Sequence, residues 1–244
     1  MIPGQARSTR IASEPGSAVA HGRALPVVVG LLLPLGVFAL LATAVTLKPA
    51  VGWDTDILRY AERHYQAPIV GALGTVVDVS IGLGAAVAGG AVVVLLVRRR
   101  RNQALFWALA AAGVPLLDVL LKEIFRRPAL GGHEGSYAFP SGSAMGSAAI
   151  AAAIFIASSP RWRRRVLAVA VPVLVAYGAL LVYAWWHYPT DVLAGWCIGV
   201  AWVTALWLAF CRAARNVRVL SRARGEPIPT GSEATIKATP GRWP

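Results

Sequence analysis

The chain has 244 residues, 57% of them hydrophobic and only 14% charged, with a formal net charge of +13. That is too apolar for an ordinary water-soluble domain. The basic excess lies beside the apolar runs, where Lys and Arg mark cytoplasmic loops and meet anionic lipid, so it points to membrane lipids and away from nucleic acid.

Residues 1–24 are rich in Gly, Ser, Ala and Arg and read as a disordered N-terminus. The apolar run that follows Arg7, Arg10 and Arg23 is longer than a signal-peptide core and reads as a retained anchor. Six spans are expected, at 25–47, 69–97, 104–121, 141–159, 166–186 and 190–211, each near the length that crosses a hydrocarbon core. The fold class is therefore all-α, a polytopic membrane helical bundle over residues 25–211. The fourth span is built of small residues, which let helix backbones approach closely, and is placed inside the bundle. Residues 212–244 form a basic, then Pro- and Gly-rich tail. Cys197 and Cys211 both fall in the last span, and no metal-ligand spacing or disulfide framework is present in the sequence.

Orientation follows from the basic residues. Arg98 to Arg101, then Arg161 and Arg163 to Arg165, then the arginines from Arg212 to Arg224 fall on the same side as the N-terminal arginines if there are six spans. That side is expected to be cytoplasmic, with both termini inside a cell membrane. Loops 48–68, 122–140 and 187–189 then face outside; in the first, Lys48, Arg59 and Arg63 are balanced by Asp54, Asp56 and Glu62.

Three polar clusters lie on that outer side: K-E-I-F-R-R-P at 122–128, F-P-S-G-S at 139–143 and H-Y-P-T-D at 187–191. Ionisable groups at membrane boundaries point to function. Pro189 suits a first helical turn, which places Asp191 near His187, where it can hold one ring nitrogen and leave the other as a nucleophile. The plainer alternative is an interfacial histidine with a helix-start carboxylate. Ser141 and Gly142 open a helix whose free amides suit an anion, or Ser141 simply caps it. Lys122, Arg126 and Arg127 suit phosphate oxygens, or anchor the chain at the headgroups. Asp118 lies one turn before Lys122 and is expected to pair with it.

Taken together, the clusters resemble the type 2 phosphatidic acid phosphatase superfamily of membrane lipid phosphatases, related to vanadium haloperoxidases. That family shows a lysine, six residues, then Arg-Pro; then Pro-Ser-Gly-His; then Ser-Arg, five residues, His, three residues, Asp. The stretch at 187–196 is especially similar, and the segment carrying Asp54 and Asp56 loosely so. The likeness covers roughly residues 50–211. It implies a metal-free reaction with no cofactor: His187 attacks phosphorus to form a phosphohistidine, Asp191 orients it, and Lys122, Arg127, Ser141 and Gly142 hold the phosphate of a lipid monophosphate or diphosphate.

The departures are specific. Ala129 stands where the family has its phosphate-binding arginine, Ser143 where it has the histidine that protonates the leaving oxygen, and Leu180-Leu181 where it has Ser-Arg. Arg126 or Arg127 is a candidate substitute for the arginine and His133 for the acid, with Ser143 a further compensating candidate; a diphosphate would need less acid help. The competing reading is a catalytically degenerate member that binds a lipid phosphate or a partner. An unrelated transporter would use Asp78 or Asp118 mid-span and show paired inverted halves, but no internal repeat is evident.

Overall fold

The computed structural model describes residues 28–48, 52–64, 66–130 and 136–223. The expected disordered N-terminus, the end of the tail and His133 lie outside these residues. A π-helical turn, Val28–Leu32, leads into α1, Leu33–Leu47. There follow α2, Gly52–Arg63; α3, Ala67–Val97; α4, Arg101–Phe125; α5, Gly142–Ala157; α6, Pro160–Tyr183; and α7, Pro189–Ala223. Prolines sit in the first turns of α1, α3 and α6, where a missing N–H costs nothing. The all-α bundle expected from the sequence is what forms. The described residues contain one isolated β-bridge, Pro128 with Tyr137.

Five of the helices are long and apolar enough to cross a membrane. The sixth apolar helix, α5, has 16 residues, or roughly 24 Å at 1.5 Å per residue. It is cut short by Pro140 before it and Ser158-Ser159-Pro160 after it. Its stripe Ala144, Met145, Ala148, Ala149 and Ala153 is buried, so the small-residue span is the interior element, as expected.

Burial separates centre from rim. In α7, 44% of the most apolar window is buried, against 6% in α3, so α7 is central and α3 lies at the rim of the bundle. α7 lies directly on α5 through Gly195 and Gly199, one turn apart. A Cβ on Gly195 would strike the Ser141 carbonyl, and one on Gly199 the Met145 carbonyl. This is close small-residue packing of the kind lipid-embedded helices use in place of hydrophobic drive. Its consequence is local: the first turn of α7 is held against the first turn of α5, with the Ser141 amide donating to the Asp191 carbonyl at 3.0 Å.

Segment 52–63 was expected within a loop, and the structure makes it an amphipathic helix. Asp54, Leu58 and Ala61 recur at helical spacing and are buried. α2 packs on α6 and α7, and the Tyr183 hydroxyl donates to the His64 carbonyl just beyond its end. At the other end of the chain, α7 continues past residue 211 to Ala223, so the start of the basic tail is helical.

Candidate functional site

α4 ends because Arg126 takes a left-handed conformation, φ 46°, with its amide returned to the Lys122 carbonyl. A non-glycine residue there is uncommon. The reversal puts Arg127 inward while Arg126 stays exposed and paired with Glu123. The Pro128–Tyr137 bridge and the Ala138 amide, which donates to the Arg127 carbonyl at 2.8 Å, bring the chain back alongside itself. The second polar cluster thereby reaches the first, and α7 supplies the third.

Two ionic groupings result. In the first, Arg127 is 2% exposed. Its guanidinium donates to Asp54 at 2.9 Å, to Asp191, and to the Thr190 hydroxyl at 2.6 Å. Thr190 in turn donates its hydroxyl to Asp54 at 2.6 Å and its amide at 3.0 Å. The guanidinium also lies 3.6 Å from the centre of the Tyr188 ring, a stacked cation–π arrangement. Burial pushes the Tyr188 phenol up; Arg127 opposes the rise, and the Asp191 and Asp54 carboxylates add to it.

In the second, Lys122 donates to Asp118 at 3.0 Å, with both side chains about one quarter exposed. Asp118, Lys122, Gly142, Ser143 and His187 line one cavity of about 600 Å³. Beyond this polar end the cavity wall is apolar, formed by residues such as Trp107, Ala110, Val114, Ile150 and Leu174.

His187 joins the two groupings. Its Nδ1 lies 3.2 Å from the Ala138 carbonyl and 3.8 Å from Asp191 Oδ2. A carbonyl can only accept, so Nδ1 is the donor in this contact, and in the neutral tautomer that it selects Nε2 holds the lone pair. Asp191 Oδ2 is itself held by the Tyr188 amide at 2.9 Å. The carboxylate thus stands behind the imidazole as a fixed negative charge, while the closer hydrogen bond comes from Ala138.

Of the residues singled out in the sequence, Lys122, Gly142, Ser143 and His187 meet at the cavity, with Asp191 behind the histidine. Two others are placed differently. Ser141 is fully buried and its hydroxyl accepts from the Ala144 amide, so it caps α5 and does not line the cavity. Arg127 is engaged with two buried carboxylates because the left-handed Arg126 turns it inward. The sequence reading missed Thr190, whose partners lie far along the chain, and gave Asp54 only a loose role. The signal for Asp54 was its place at the head of the apolar repeat of α2.

Residues 103–215 match the family model for the PAP2 superfamily. The fold matches that of a transmembrane PAP2-type phosphatidylglycerolphosphate phosphatase from Bacillus subtilis with a TM-score of 0.59 at 23% identity, over 74% of this chain and 96% of that one. No curated protein matches. Five helices long and apolar enough to cross a membrane make this a multi-pass membrane protein, and the region that matches the family model contains Lys122, Gly142, Ser143, His187 and Asp191.

Proposed function

We propose that the protein hydrolyses a lipid phosphate or diphosphate at the outer face of the cell membrane, through a phosphohistidine on His187. The observation that carries this reading is the cavity. Lys122, the first turn of α5 and His187 open on its polar end, and an apolar wall continues from them. A phosphate there meets a lysine and helix-start amides that have no intrahelical acceptor, while an acyl or isoprenoid chain meets alanine, valine and tryptophan. Asp191 supports the imidazolium character that develops at His187. Arg127 anchors Asp191 in this scheme and does not touch phosphate. The basic turns at Arg98 to Arg101 and at Arg161 to Arg165 lie at the opposite end of the bundle from Lys122, which favours an outward-facing site.

A second reading rests on a specific observation. Ser143 stands where a leaving-group acid is expected, and Lys122 already holds a carboxylate. In that reading the protein binds a lipid phosphate without cleaving it. The deciding experiment is phosphate release by detergent-purified protein from a lipid monophosphate and a polyprenyl diphosphate, beside His187→Ala. Release that vanishes in the variant supports the phosphatase. No release from folded protein, with an active family member as control, supports the binding protein.

A further inference from the structure

A histidine that attacks phosphorus is only half of such a reaction, because an alkoxide leaving from a lipid phosphate needs a proton. Positioned acid catalysis contributes about 10²–10⁴-fold. Ser143 can offer a hydrogen bond, but its hydroxyl is an alcohol no more acidic than the one being released and so is no effective proton donor to it. The titratable side chains on the cavity wall are Asp118, Lys122, Tyr177 and His187. His187 is the proposed nucleophile, and Lys122 is the cation for the phosphate.

Asp118 has the geometry of the missing acid. A Cβ added at Gly142 would lie 2.6 Å from Asp118 Oδ1 and 2.7 Å from its carboxyl carbon. The carboxyl group therefore rests against the residue immediately before Ser143. One oxygen, Oδ2, takes the Lys122 ammonium. The other, Oδ1, is shielded from solvent and has no hydrogen-bond partner among the described residues. A buried carboxylate oxygen with nothing to accept from is costly and calls for an explanation.

We propose that Asp118 is the general acid–base of this site, taking from α4 the role that the family's histidine would fill at position 143. The inference rests on the phosphatase reading. A lipid phosphate entering the cavity draws on the same Lys122 ammonium, and as a monoanion it brings the proton that the Asp118 carboxyl carries into the first step. His187 and Tyr177 are the other titratable groups on that cavity.

In the first step the Nε2 lone pair of His187 forms the N–P bond. The P–O bond to the lipid breaks, its electron pair stays on the departing oxygen, and the Asp118 carboxyl proton moves to that oxygen. The products are a lipid alcohol, the phosphohistidine and an Asp118 carboxylate. In the second step that carboxylate takes a proton from water as the water oxygen attacks phosphorus. The N–P bond breaks, its electron pair returns to Nε2, and inorganic phosphate takes the Asp118 carboxyl proton and leaves as its monoanion, restoring the Lys122–Asp118 pair.

The test compares two substrates that differ in their need for an acid: dodecyl phosphate and 4-nitrophenyl phosphate. Asp118→Asn in the full-length protein is expected to lower turnover of the alkyl phosphate at least about 100-fold, and that of the aryl phosphate far less. The ratio of the two rates does not depend on how much protein is folded. Any loss of phosphate binding from the altered Lys122 environment would raise both KM values alike. Tyr177→Phe is expected to leave the ratio unchanged. A ratio unchanged in Asp118→Asn, whether both rates fall or neither does, overturns the assignment, as does a ratio that collapses in Tyr177→Phe instead. If wild-type release depends on His187 while the Asp118→Asn ratio holds, only the acid assignment fails. If the wild type releases nothing, or releases phosphate equally as His187→Ala, the phosphatase reading fails and takes the assignment with it.

Discussion

Arg127 and Lys122 lie five residues apart, and each holds a carboxylate, yet their surroundings separate their work. The Arg127 side chain and its two partners are at most 1% exposed. Lys122 and Asp118 are 27% and 23% exposed and face a cavity. Desolvation makes a buried ion pair a poor source of net stability but makes breaking it expensive, because the remaining charge has no water to turn to. A partly exposed pair exchanges partners at low cost. The first grouping therefore fixes geometry, tying α2, the end of α4 and the start of α7 together. The second faces the cavity, and in the proposed function it trades its carboxylate for a phosphate.

The sharpest way to break this contrast is Arg127→Ala. It leaves Asp54 and Asp191 as buried carboxylates without their cation, which is expected to cost about 3–5 kcal/mol. A large drop in the melting temperature of the detergent-solubilised protein is the expected result. A melting curve like the wild type's would show that the buried cluster does not hold the site together. Lys122→Ala is the complementary change. Loss of one charge-stabilising donor is expected to lower turnover of a lipid phosphate about 100–1,000-fold, while melting shifts little. A folding defect as large as that of Arg127→Ala would erase the distinction. Smallest of all, Arg126→Ala removes an exposed group paired only with exposed Glu123, and both melting and phosphate release are expected to stay at wild-type values. A turnover loss there would reinstate Arg126 as the substitute for the family's arginine.

The spans were legible because hydropathy over about 20 residues is a local property. So was the pairing of Asp118 with Lys122, since residues four apart on a helix are neighbours. α2 was within reach too: Asp54, Leu58 and Ala61 carry a helical period, although a segment with five charges in twelve residues reads first as a loop. What could not be read is long-range. Arg127 meets Asp54 across 73 positions, and nothing near Arg127 in the chain distinguishes a guanidinium facing phosphate from one facing two aspartates. The left-handed turn at Arg126 makes that choice, and the sequence shows an arginine there and not a glycine. Gly195 and Gly199 form a visible small-residue pair, but which helix they contact is decided only when α5 is packed against them.

The central claim is that phosphate is transferred to His187 in the cavity that Lys122 lines. The most direct measurement is a covalent trap. Protein mixed with a lipid phosphate carrying radiolabelled phosphorus is quenched in alkaline detergent, digested and mapped. The account predicts label on the peptide that contains His187, absent from His187→Ala and much reduced in Lys122→Ala. Phosphate release with no label on that peptide, or label that persists in His187→Ala, would contradict it.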